Sequence, residues 1–199
     1  MMKKQFSPAS ARNREPILAA LRPLLADCRS VLEIGSGTGQ HAVHFGAALP
    51  DLTWQTSDLP ANHEGIRAWL DEAALPNVLA PLALDAGSDD WPPGPFDAVY
   101  TANTCHIMSW PEVQRMFHGI GRVLAPGGML CIYGPFNFDG QFTSASNAQF
   151  DASLRAQAPH MGLRNQEDVD ALARAQQLTP VADLPLPANN KLLAWRRAG

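Results

Sequence analysis

Residues 31–41 read VLEIGSGTGQH. An apolar run carrying one acid opens into glycines at 35, 37 and 39, so a buried strand must end in a turn that few side chains can adopt. A helical pattern over residues 40–48 follows directly. Strand, glycine turn and helix form the first half of a strand–helix–strand unit, and such units build parallel sheets.

The rest of the 199 residues keeps that alternation. Strands are expected over 31–34, 53–56, 78–84, 96–101 and 129–133, with two more around 181–184 and 192–195. Helices are expected over 16–26, 40–48, 62–73, 111–123 and 166–177, with Pro16 in a first turn and Pro23 bending or ending the first helix. One domain over 1–199 accounts for the length. Within it, residues 1–29 form an N-terminal helical segment placed to act as a lid. Residues 134–165 interrupt the alternation with a polar and aromatic insertion, partly helical over 148–156. The insertion starts at the carboxyl end of a strand, where open α/β sheets bind ligands. Its Phe136, Phe138, Phe142 and Phe150 are candidates either for a water-excluding lid or for a small cluster under a loop.

Charge narrows the partners. Apolar residues make up 46%, charged residues 17%, and the net charge is −4, with no basic stripe for nucleic acid or a membrane surface. No segment approaches the ~20 apolar residues of a membrane span, and the opening MMKKQFSPASARNREP has no apolar stretch of a secretory signal. Cys28, Cys105 and Cys131 are odd in number and lack C-x-x-C spacing, which favours a reducing, cytoplasmic location over a disulfide framework or zinc site.

What ligand suits an acid just ahead of a glycine turn? The dinucleotide pattern G-x-G-x-x-G is broken here by Gln40, and no Gly-Lys-Ser/Thr of a phosphate loop follows. Glu33 would repel a pyrophosphate, yet attract an ammonium and a sulfonium. S-adenosylmethionine carries both and has no phosphate. Asp58 ends the second strand, where it can accept from ribose hydroxyls, and Asp85 ends the third, where it can accept from the adenine amine.

VLEIGSGTG, Asp58, Asp85, FDAVYTANTCH and RVLAPGGMLCI together resemble the class I S-adenosylmethionine-dependent methyltransferases. SPASARN, GSGTGQH, IYGPFN, SNAQFDASLR and LPANN further resemble a family of small methyltransferase-like proteins of unknown function. The resemblance implies a Rossmann-like, mostly parallel seven-stranded sheet in the order 3-2-1-4-5-7-6, with helices on both faces. It implies cofactor contacts from Glu33, Gly35, Ser36, Gly37 and Gly39 to the methionyl part, from Asp58 to the ribose, and from Asp85 and Ala86 to the adenine. His41, Leu59 and Asn103 complete the cofactor candidates.

His106 is the candidate general base and Tyr133 its companion, both at strand ends facing the expected methyl position. Cys105 reads as a small buried residue, and the Asp/Asn-Pro-Pro-Tyr/Phe signature of amino-methyltransferases is missing beside it. Arg12, Asn13, Asn137, Asp139, Asn147 and Asp151 are the substrate-binding candidates, and no metal-ligand cluster is evident. The sequence therefore favours methyl transfer to a small molecule. A protein side-chain methyltransferase and a non-catalytic cofactor-binding module stay open beside it.

Overall fold

Strand β1 (Ser30–Ile34) is apolar on both faces except at Glu33, so it can only lie inside a sheet covered on both sides. The computed structural model describes residues 4–199; the first three residues of the expected N-terminal segment lie outside the described residues. β1 pairs in parallel with β2 (Thr53–Asp58) on one side and β4 (Phe96–Ala102) on the other. β3 (Val78–Ala83) flanks β2, and β5 (Leu124–Gly134) flanks β4, both in parallel.

Two short strands, β6 (Phe136–Asn137) and β7 (Arg164–Asn165), pair with each other apart from the main sheet. The chain closes with a hairpin of β8 (Leu178–Leu186) and β9 (Asn190–Arg197), and β9 runs antiparallel against β5. The order is β3-β2-β1-β4-β5-β9-β8, which is the expected 3-2-1-4-5-7-6 when the seven sheet strands are counted alone.

Alternation along the strands feeds two cores. Leu32, Ile34, Val99, Leu130, Ile132 and Trp195 face helices α4 (Trp110–Val123) and α6 (Gln166–Ala175). Val31, Trp54, Ala98, Tyr100, Cys131 and Ala194 face α1 (Pro8–Leu24) and α2 (Gln40–Ala48), joined by Leu70 of α3 (His63–Ala73). No helix among the described residues is long and apolar enough to cross a membrane.

The first helix corrects the expectation of 16–26. It begins at Pro8, where Ser7 Oγ accepts the Ser10 N–H at 3.1 Å, and it carries Pro16 and Pro23 inside it. Its polar first half has no apolar stripe to announce a helix. Contacts outside it hold it: the Ser7 N–H donates to Gln40 Oε1, and Gln40 Nε2 returns a bond to the Ser7 carbonyl. Pro16 removes the donor that would otherwise meet the Arg12 carbonyl.

β2 and β5 extend beyond expectation, β2 reaching Asp58 and β5 starting at Leu124, while β3 ends at Ala83 and α6 at Ala175, short of it. In the insertion, α5 (Ala145–Gln157) is longer than expected. Phe136 is buried in the α4/α6 core and so belongs to no lid, whereas Phe138, Phe142 and Phe150 are exposed.

The strand order reverses between β1 and β4, and the glycine turn leaves β1 at that point. Gly35, Gly37 and Gly39 all have positive φ, at 68°, 58° and 88°. Gly39 also caps α2, and a Cβ there would stand 3.2 Å from Ile66 Cα of α3. A Cβ at Gly37 would meet nothing within 4 Å. Alanine at Gly37 therefore costs only the left-handed strain of about 1–2 kcal/mol, while at Gly39 the α3 backbone must shift as well. Chemical denaturation should find Gly39→Ala clearly less stable than Gly37→Ala; equal losses would contradict this packing.

Candidate functional site

Glu33 lies beneath the glycine turn and not on the wall of a cavity. It is almost fully buried, and its Oε2 accepts from Trp54 Nε1 at 3.0 Å and from Ser36 Oγ at 2.8 Å. Ser36 Oγ in turn accepts the Ser57 N–H at 3.1 Å, and Ser57 Oγ donates to the Glu33 carbonyl at 2.6 Å. Burial, which outweighs both hydrogen bonds, pushes the carboxyl up to about 7. This corrects the expectation of a ready anion facing a ligand. Near neutral pH the Glu33 carboxyl is therefore not held as a ready carboxylate.

Asp58 is likewise engaged. Its Oδ2 accepts the Gly37 N–H at 2.7 Å, and its Oδ1 accepts the Leu59 N–H and Asn62 Nδ2, each at 2.7 Å. The Leu84 N–H donates to the Asp58 carbonyl at 3.0 Å, which brings the ends of β2 and the third strand segment side by side. Asp85 is exposed and caps its own turn through the Gly87 N–H at 2.9 Å, with Ala86 buried next to it. Leu59 is exposed, 48% open beside Asp58. These four residues stand at the ends of β2 and β3, outside the enclosed part of the site.

That enclosed part is a cavity of about 870 Å³. Its floor is Gly35, Ser36 and Gly37, together with Asn103, His106 and Tyr133 from the ends of β4 and β5. One wall is α1, from which Ala9, Arg12, Asn13 and Pro16 face inward at one-face helical spacing. The opposite wall comes from α5, through Ser146, Asn147 and Phe150, and from the turn of the β8–β9 hairpin, through Asn190. Asn147 Nδ2 ties these two pieces together by donating to the Asn189 carbonyl at 3.2 Å.

Among the substrate candidates, Arg12, Asn13 and Asn147 thus line the cavity. The other three do not. Asn137 is buried in the β6–β7 pair. Asp139 sits exposed in a tight turn, its N–H donating to Glu167. Asp151 is buried against Arg155 and accepts the Leu163 N–H at 2.8 Å, so it braces the insertion. Turn and bracing geometry use up the polarity of Asp139 and Asp151, whereas the Asn137 Oδ1 is buried with no hydrogen-bond partner among the described residues.

Both imidazoles of the cavity are neutral at pH 7. His41 is pushed down to about 4 by burial and then by His44, and its Nε2 meets Asn13 Oδ1 at 2.7 Å. His106 is pushed down to about 4 by burial and then by the Arg164 guanidinium. Its ring nitrogens have no hydrogen-bond partner among the described residues, and Phe150 stands edge-on to the ring at 5.2 Å. Tyr133 is buried to 3% exposure, and burial raises its hydroxyl pKa against a smaller opposing effect of Asn13. Cys105 is buried and pushed up to about 12, in line with a packing role.

Arg164 is the residue that the sequence did not announce. Its guanidinium donates to the carbonyls of Cys105 at 3.0 Å, His160 at 3.0 Å and Met108. The Gly162 N–H donates to the His106 carbonyl at 2.9 Å. The end of the insertion thus grips the loop that carries His106. With Glu167 and Asp168 three and four residues further on, nothing in the sequence signals that role.

A parallel sheet reversing at β1/β4, with a glycine turn and no phosphate-binding pattern at the reversal, defines the class I S-adenosylmethionine-dependent methyltransferase fold. Solved structures share it. An O-methyltransferase family protein from Burkholderia thailandensis superimposes with a TM-score of 0.85 at 20% identity, over 96% of this chain and 58% of that one. Human N-acetylserotonin methyltransferase, solved in complex with S-adenosylmethionine, gives 0.81 at 14% identity over 96% and 53%.

In sequence, the malonyl-[acyl-carrier protein] O-methyltransferase of Alcanivorax borkumensis is 33% identical over 108 residues, 52% of this chain and 34% of that protein. The chain therefore spans about a third of this curated relative and little more than half of the structural ones. It belongs to the family described as Protein of unknown function (DUF938), whose model matches residues 4–197.

Two measurements probe the site's charges. Glu33 has a folded pKa above its unfolded value, so its contribution is fully present below the unfolded pKa of 4.5 and is lost as pH rises through about 7. Wild-type stability should fall from pH 5 to pH 8 by up to about 3 kcal/mol through this group, and Glu33→Gln should flatten that part of the profile. Identical profiles would contradict the buried acid.

An imidazole NMR titration reads the second. Arg164→Gln should raise the His106 pKa from about 4 while leaving it under 6.5, because burial is the larger cause. No change at His106 would remove Arg164 from its electrostatics.

Proposed function

We propose that the chain is an S-adenosylmethionine-dependent methyltransferase that transfers a methyl group in line to a small molecule. One observation carries this reading: Gly37 lies open at the strand-order reversal, on the floor of a walled cavity that His106 and Tyr133 also line. The open turn fits the methionyl part of that cofactor, since a side chain there would occupy the space. The ends of β2 and β3, with Asp58, Leu59, Asp85 and Ala86, fit its ribose and adenine.

Bound S-adenosylmethionine supplies a methyl group already activated on a sulfonium. The chain's own task is to hold an acceptor close and aligned, which is worth up to ~7–11 kcal/mol in well-oriented reactions. His106, neutral and without an internal partner, is the group placed to take the proton of the acceptor's nucleophile. Burial and Arg164 make it a weaker base than a free imidazole, so it serves an acceptor whose proton leaves late, as the methyl group transfers. Tyr133 orients the acceptor beside it, and Arg12, Asn13 and Asn147 bind it. α1 and the insertion exclude water from both sides.

The walls favour a small acceptor over a protein side chain, which needs an open groove. Two of the relatives carry O-methyltransferase in their names, which supports an oxygen nucleophile. Residues 1–199 serve as a single domain in this reading. The three free cysteines support a cytoplasmic setting.

Calorimetric titration and thermal unfolding with S-adenosylmethionine, S-adenosylhomocysteine and NAD test the cofactor. At about a hundredfold excess over Kd, the two sulfur ligands should each add ~2.7 kcal/mol of stability, roughly 5–11 °C in Tm for a chain this size. Gly37→Ala should fold and lose that shift. Stabilisation by NAD alone would overturn the reading.

A further inference from the structure

We propose that Arg12 is the carboxylate-recognising group of the cavity, reading the anionic end of a bound small molecule. The methyltransferase reading enters only in saying which molecule that is.

The charge pattern of the cavity leads there. α1 carries several charged side chains, but Glu15 turns to His44 at 3.3 Å, Arg22 turns to the Ala48 carbonyl at 3.1 Å, and Arg14 does not line the cavity. Arg12 lines the cavity and, among the described residues, makes neither an ion pair nor a hydrogen bond. No Asp or Glu lines the cavity with it.

The nearby acids are consumed elsewhere. Glu33 is held by Trp54 and Ser36, Asp58 by Gly37, Leu59 and Asn62, and Asp151 by Arg155 and Leu163. The two lining imidazoles are kept uncharged by burial. What remains is one permanent cation facing a cavity whose other polar side chains are amides and hydroxyls, among them those of Asn13, Asn147, Asn190, Ser10 and Ser146.

Each of those groups can donate a hydrogen bond, and none brings a negative charge. Beside Arg12, an anionic group of the ligand is the charged group such a lining favours. The planar guanidinium fork matches the two oxygens of a carboxylate. Two molecules of the proposed reaction can bring one: the methionyl end of the cofactor, or the methyl acceptor.

The test compares wild type with Arg12→Gln and Arg12→Lys in the full chain, after thermal melts have verified folding; the exposed position of Arg12 spares the core. The first arm titrates S-adenosylhomocysteine against its decarboxylated analogue. The second titrates malonate and benzoate against malonamide and benzamide, with and without saturating S-adenosylhomocysteine. Arg12→Gln should weaken at least one carboxylate probe about tenfold or more while its uncharged counterpart binds both proteins alike, and Arg12→Lys should recover part of the loss.

A loss confined to S-adenosylhomocysteine assigns the cofactor's carboxylate; a loss confined to the simple acids assigns the acceptor's. If S-adenosylhomocysteine fails to bind wild type, the cofactor reading falls while the second arm still decides Arg12. No loss in either arm, whether the probes bind both proteins equally or bind neither, overturns the proposal.

Discussion

The carboxyl of Glu33 is the point to which the rest of the site is tied. It joins β1 to β2 through the Trp54 indole and reaches the glycine turn through Ser36. Ser36 and Ser57 then staple the turn to β2 twice, by the Ser36 N–H on the Ser57 carbonyl at 2.9 Å and by Ser36 Oγ on the Ser57 N–H. With the base of the turn fixed in this way, Gly37 sits above it with its N–H on Asp58 and open space where a Cβ would be. The acid that first raised the question of a ligand thus acts mainly on the protein itself, setting the shape that a ligand would meet.

The two walls over that turn come from opposite parts of the chain and are secured by different means. α1 is strapped from its own start: Lys4 lies 3.5 Å over the Trp69 ring and pairs with Glu72 at 2.7 Å, while Trp69 Nε1 donates to the Gln5 carbonyl at 2.7 Å. These contacts are partly solvated, so the strap is weak piece by piece. The insertion is held from within. Asp151 is almost fully buried on Leu163 and Arg155, and Arg164 gathers three carbonyls. Charge-assisted bonds of that kind are the stronger sort. Further along, α1 is anchored by Ile17, Leu18 and Leu21 in the core, so only its polar first half depends on the strap.

Much of the fold was legible because its signals are local and periodic. Alternation in β1, β4 and β5 and the breaks at glycine and proline gave the elements, and the motif set gave the order. α1 was legible only from Pro16 onward, since SPASARN has no apolar stripe and owes its helix to Gln40, His41 and Trp69 far along the chain. In the site, glycines and strand-end residues were readable because their spacing is itself the signal. Asn137, Asp139 and Asp151 misled because a polar residue in an insertion looks the same whether it meets a ligand or braces a turn. Arg164 was invisible for the converse reason: its partners are backbone carbonyls, which leave no mark in sequence.

One cost of the structure lies beneath the glycine turn. The Tyr100 hydroxyl is fully buried without a partner, and its ring stands 5.7 Å from that of Trp54. Burial, then the neighbouring Glu33, drives its pKa well above the ordinary value. An unsatisfied buried hydroxyl costs about 1–3 kcal/mol, and a buried acid held near neutrality adds to it. Phenylalanine at 100 would remove the orphan hydroxyl, whereas an apolar residue at 33 would leave the Trp54 N–H and the Ser36 hydroxyl without their acceptor. Tyr100 is thus an exception to the satisfied polar groups around it. The exception lies directly under the turn whose glycine leaves room above it, where departures from local rules mark function more than folding.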